Sequence, residues 1–89
     1  MEDNPLIRLT DYAKSAYSTS RDLATDPKER AELTAITVGR QAKRLGLSEE
    51  ETSRWLQSAY GTVWVVGGSL NPGMDLKEIR KIILREMRK

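Results

Sequence analysis

Four places along the chain carry the chemistry that starts a helix, and their spacing leaves little room for other structure. Asn4-Pro5 puts a short polar acceptor before a proline at the first helical position, where the missing N–H of proline does no harm. Asp26-Pro27 repeats the arrangement, and Glu29, three residues after Asp26, supplies the return half of a capping box. Ser48 with Glu51, and Asp75 with Glu78, have the same spacing. A chain punctuated in this way is expected to be a set of short helices joined by tight connections.

The apolar residues recur with a helical period. Leu6, Leu9, Ala13, Ala16, Tyr17 and Leu23 fall on one face of the first segment, while Ser18-Thr19-Ser20 weakens its end and favours fraying there. In the second segment Ala31, Ala35, Val38, Ala42 and Leu45 alternate in steps of four and three. Their small side chains let a neighbouring helix approach closely. Leu33 and Ile36 lie on the opposite side, and a helix apolar on two faces is either central or in contact with a partner. Gly46 stands where a left-handed C-cap is required.

Leu56, Ala59, Val63 and Val66 form the inner face of the third segment, with Trp55 and Tyr60 flanking. Its last turn, Val63-Trp64-Val65-Val66, is apolar all round and has the propensity of a short strand as well as the spacing of a helix. Trp64 and Val65 then need cover, in the core or at an interface. Gly67 to Gly73 is rich in turn residues but lacks the Gly-Lys-Ser/Thr ending of a phosphate-binding loop, so it reads as a connection. In the fourth segment Leu76, Ile79, Ile83 and Met87 face inward, with Ile82 beside them. The expected fold is all-α: a compact bundle of about four helices over residues 5–22, 27–45, 49–66 and 76–88, in a single domain spanning 1–89.

Eighty-nine residues without a cysteine bound the stability of such a bundle. A domain of this size buries only about 60% of the surface its unfolded chain exposes, so its core is thin. No disulfide or thiolate metal site supports it, and homodimerisation is one way to complete the core. Met1-Glu2-Asp3 opens acidic with no apolar region behind it, so no signal peptide is expected. The apolar run at Val63–Val66 is far short of the roughly 20 residues that span a bilayer. A soluble cytoplasmic protein without a membrane partner is the expectation, and the lack of cysteine fits a reducing compartment.

Histidine is absent as well. Without His or Cys the chain lacks the usual neutral-pH proton shuttle, the strongest side-chain nucleophile and the common transition-metal ligands. The carboxylates fall where caps and solvated faces place them. The expected class is therefore a non-catalytic binding protein, not an enzyme, with no cofactor and no metal.

One stretch carries a more specific reading. From Gln41 to Leu56 the chain runs Gln-Ala-Lys-Arg-Leu-Gly-Leu-Ser-Glu-Glu-Glu-Thr-Ser-Arg-Trp-Leu. Ala42 is small enough for two helices to cross, Gly46 allows a sharp turn, and Leu45, Leu47, Trp55 and Leu56 can hold the angle between them. Gly46 and Trp55 stand nine residues apart. Residues 38–57 resemble the helix-turn-helix of bacterial and phage DNA-binding proteins. The resemblance implies that Ser53, Arg54 and Gln57 are exposed on a recognition helix, Arg54 pairing with guanine and Gln57 with adenine. Arg40, Lys43 and Arg44 on the preceding helix would hold phosphates.

A second basic feature is independent of this motif. Lys77, Lys81, Arg85 and Arg88 form a stripe on the fourth helix, opposite its apolar face. Cations there suit the C-terminal end of the helix dipole, and they also suit phosphate or an acidic partner. Fifteen basic against thirteen acidic residues give a net charge of +2, which permits a polyanion partner without demanding one. The leading expectation is a small regulator of helix-turn-helix type that binds duplex DNA. The alternative is a helical protein–protein interaction module, an inhibitor or adaptor, using the Val63–Val66 region with Trp64 and Val65, or the Leu33/Ile36 face. Glu49, Glu50 and Glu51 favour the alternative, because three carboxylates open the third helix.

Overall fold

Asn4 Oδ1 accepts the N–H of Leu6 at 3.0 Å, and Asp26 Oδ1 accepts that of Lys28 at 3.0 Å. Asp75 Oδ1 accepts from Glu78 N–H at 2.9 Å. In the computed structural model, which describes residues 4–60 and 74–89, these caps open α1 (Pro5–Leu23), α2 (Pro27–Arg44) and α4 (Leu76–Met87). Between them α3 (Glu49–Tyr60) opens on a complete capping box. Glu51 N–H donates to Ser48 Oγ and Ser48 N–H donates to Glu51 Oε1, both at 3.0 Å. At Asp26 and Asp75 only the cap half forms among the described residues, and Glu29 and Glu78 stay exposed to water.

The described residues form an all-α bundle of four helices. The expected stop after α2 is present as a Schellman motif. Gly46 has φ 75° and donates to Lys43 O at 3.1 Å, while Leu47 N–H donates to Ala42 O at 3.1 Å. A side chain at position 46 would strain this left-handed conformation. Residues 61–66 of the expected third helix, with Trp64 and Val65, lie outside the described residues.

α2 is the central element, packed against α1 on one side and α4 on the other, while α3 rests more lightly on α4 and α1. Leu9, Ala13, Tyr17, Ala31, Ala35, Val38, Ala42, Leu56, Ile79 and Ile83 form the heart of the core. Two threonines join it with their hydroxyls satisfied within their own helices. Thr34 donates to Arg30 O and Thr52 to Ser48 O, each at 2.8 Å. Trp55, almost wholly buried, donates from Nε1 to Thr10 Oγ1 at 2.8 Å, and Thr10 in turn donates to Leu6 O. This short chain of hydrogen bonds ties α3 to α1.

Several expectations are corrected. Leu23 is 74% exposed, and its place on the face is taken by Ser20 and Ala24, both buried. At about 100° per residue, three steps beyond Ser20 leave Leu23 about 60° off the apolar stripe. The end of α1 stays helical through Leu23, with Ser20 Oγ donating to Tyr17 O at 2.8 Å. Of the two apolar residues on the other side of α2, Ile36 packs against the core, in keeping with the central place of this helix, while Leu33 is exposed. The second buried face of α2 is made instead by Gly39, against which α4 crosses.

Tyr17 is fully buried, and its hydroxyl has no hydrogen-bond partner among the described residues. A buried unpaired polar group is a net cost. Tyr17→Phe is therefore expected to raise stability by about 1 kcal/mol, read as a higher urea midpoint with an unchanged slope. A lower midpoint would mean that the hydroxyl is bonded in solution.

Candidate nucleic-acid interface

The charge of the chain is unevenly placed. Residues 75–89 contain six basic and three acidic side chains, and Arg40, Lys43 and Arg44 add three more cations with no acid between them. The rest of the chain is net negative. The fold gathers both basic segments around α4.

α4 buries Ile79, Ile82 and Ile83, so the helical period turns Lys77, Arg80, Lys81 and Arg85 to solvent. Two grooves run beside this ridge. On one side Ser53, Arg54 and Gln57 of α3, with Glu49 and Glu50, face Arg80, Leu84 and Arg88. On the other side Arg40, Lys43 and Arg44 of α2 face Glu86 and Lys89. The exposed side chains of α3 and the cations of α2 thus flank α4 on opposite sides.

Glu86 is the organising group on the α2 side. Its side chain is only 3% exposed, yet three cations converge on it from the surface. Lys89 Nζ lies 2.7 Å from Oε2, Arg40 Nε 3.4 Å from Oε1 and Arg85 Nε 3.8 Å from Oε2. The hydrogen bond from Lys89 holds the Glu86 carboxyl below the usual range, against the opposing effect of burial and with help from Arg40. A carboxylate here offsets the repulsion that would otherwise spread these side chains apart.

Each carboxylate in the first turn of α3 has an internal partner. Glu49 takes both arms of Arg88, with Nε 2.9 Å from Oε2 and Nη2 2.7 Å from Oε1. That pairing lowers the Glu49 pKa and raises the Arg88 pKa. Glu50 lies 3.5 Å from Arg54 one turn later, an exposed pair of little energetic weight. Glu51 accepts the Ser48 amide of the capping box, and this bond holds its carboxyl below the usual range.

Of the side chains expected to bind nucleic acid, Arg40, Lys43, Arg44, Arg54, Gln57, Lys77, Lys81, Arg85 and Arg88 are exposed, while Ser53 is half-buried. Arg80 and Lys89 belong to the same surface and were not expected. Arg80 was legible, since it lies three residues from Lys77 and four from Leu84. Lys89 acquires its place only through Glu86. Among the described residues no helix is long and apolar enough to cross a membrane. No protein-family model, curated protein or solved structure matches the chain.

Proposed function

We propose that the protein is a small, non-catalytic cytoplasmic regulator that binds duplex DNA, holding the phosphate backbone on the α4 ridge and on the last turns of α2. One observation carries this reading: Lys43, Arg44, Lys77, Arg80 and Lys81 are exposed around one helix and have no carboxylate partner among the described residues. Unpaired cations in such an array are free to replace the counterions of a polyanion, which is the main source of non-specific affinity. Arg54 and Gln57 line the adjoining groove, within reach of base edges in the manner that the helix-turn-helix resemblance implies. The acidic first turn of α3 is matched in charge by neighbouring cations, Arg88 beside Glu49 and Arg54 beside Glu50, which offsets part of its repulsion of DNA. The alternative protein-binding face of α2 has less support, since Ile36 packs on the core and leaves Leu33 exposed alone.

Fluorescence anisotropy of a labelled duplex, titrated across a salt series, tests the proposal. Affinity should fall linearly on logarithmic axes as salt rises, with a slope of about −0.9 per phosphate neutralised. The triple replacement of Lys77, Arg80 and Lys81 by Gln should weaken all sequences alike and flatten that slope by about two to three. Arg54→Gln should change the preference among sequences instead. Absence of binding at low salt would overturn the reading.

A further inference from the structure

Two carboxylates of this surface, Glu86 and Glu49, pair with cations at the end of α4, and their exposure gives them different parts to play. Glu86 is enclosed beneath its cations and cannot leave without opening the α2/α4 contact. Glu49 is 45% exposed and Arg88 64% exposed, so their pair can part without disturbing the core. Arg88 is the C-cap of α4, just beyond its last regular turn: its backbone is anchored there while its side chain lies in solvent. Glu49 stands in the first turn of α3, where the helix dipole favours its charge whether or not Arg88 is present.

The pairing itself is two parallel N–H to O contacts, which is also how a guanidinium takes a phosphate. We infer that Glu49 is a built-in surrogate for a backbone phosphate: it occupies the Arg88 fork in the free protein, and nucleic acid binds there by displacing it. This rests on the DNA-binding reading above and specifies how that site is regulated. An intramolecular carboxylate competes at a high effective concentration. A single free phosphate therefore loses to Glu49, whereas a polyanion already held by Arg80 and Lys81 takes the fork. The pair acts as a filter for extended phosphate backbones over small anions.

The test is a double-mutant cycle on duplex binding at fixed low salt, with the wild type, Glu49→Gln, Arg88→Gln and the double variant. Glu49→Gln should tighten binding about fivefold with the salt slope little changed, because Arg88 takes a phosphate in both proteins and only the cost of displacing Glu49 is removed. In the Arg88→Gln background the same change should move affinity less than about twofold, the part owed to net charge alone. Equal tightening in both backgrounds, or no tightening in either, with the wild type still binding, would overturn the surrogate role and leave the DNA-binding reading standing. Failure of every variant to bind would overturn both.

Discussion

Gly39→Val is expected to destabilise the protein by about 3 kcal/mol or more, the larger end of what overpacking does to a core. A Cβ at position 39 would lie 2.6 Å from Glu86 Cβ, 2.7 Å from Ile83 O and 3.2 Å from Ile83 Cα. The second and third of these are backbone atoms of α4, which cannot turn aside as a flexible side chain can. The helices would have to separate. Gly39→Ala removes the glycine penalty in a helix, worth about 1 kcal/mol, but the clash exceeds that gain and the net effect stays destabilising. Separation would also pull Arg40 away from Glu86 and loosen the cation cluster on that side. Urea unfolding of both variants checks this, and a raised midpoint for Gly39→Ala would refute the close crossing.

Leu56→Ala should lower stability by about 2–5 kcal/mol, the usual result of emptying a fully buried leucine site. Leu56 is 1% exposed and, with Trp55 and Ala59, forms the buried face of α3. Small domains often have only about 5 kcal/mol in total, so the change consumes much of the margin. The loss should be local before it is global. α3 rests on α1 and α4 more lightly than α2 does, so its amides should lose protection first. Hydrogen exchange of the variant measures this directly. Equal loss of protection in α2 and α3 would show a bundle that opens as one unit. If the protein binds duplex DNA as proposed, with Arg54 and Gln57 of α3 reading bases, this variant should lose sequence preference before it loses salt dependence.

The helix starts, and the ends that fall within the described residues, were almost wholly legible in the amino-acid sequence, and the reason is local. A cap joins residues two or three apart, as in Asn4 to Leu6 or Ser48 to Glu51. The Gly46 turn closes within a few residues of itself. Such signals act before any tertiary contact forms. They failed mildly where a glutamate was expected to complete a box, at Glu29 and Glu78, whose carboxylates stay in solvent. The inner faces were legible to the same degree: Leu9, Ala13 and Tyr17 are buried as their spacing implies. Leu23 was misplaced because hydrophobicity alone does not say where a neighbouring helix ends or how wide its contact is.

The candidate surface divides along the same line. Lys77, Lys81 and Arg85 stand opposite an isoleucine face, and helical geometry alone turns them outward. That much belongs to the chain as written. The arrangement of charge belongs to the folded bundle. Arg40 reaches Glu86 across 46 residues of sequence, and Arg88 reaches Glu49 across 39. No local rule could assign those partners, since they depend on where α4 lands. That position is set by Gly39, whose missing side chain lets α4 approach close enough to enclose Glu86. The acidic turn at Glu49–Glu51 was read as repelling a polyanion, yet Glu51 is held locally by Ser48 and Glu50 lies beside Arg54 one turn on. Only the partner of Glu49 comes from packing, which brings Arg88 to it from the far end of α4.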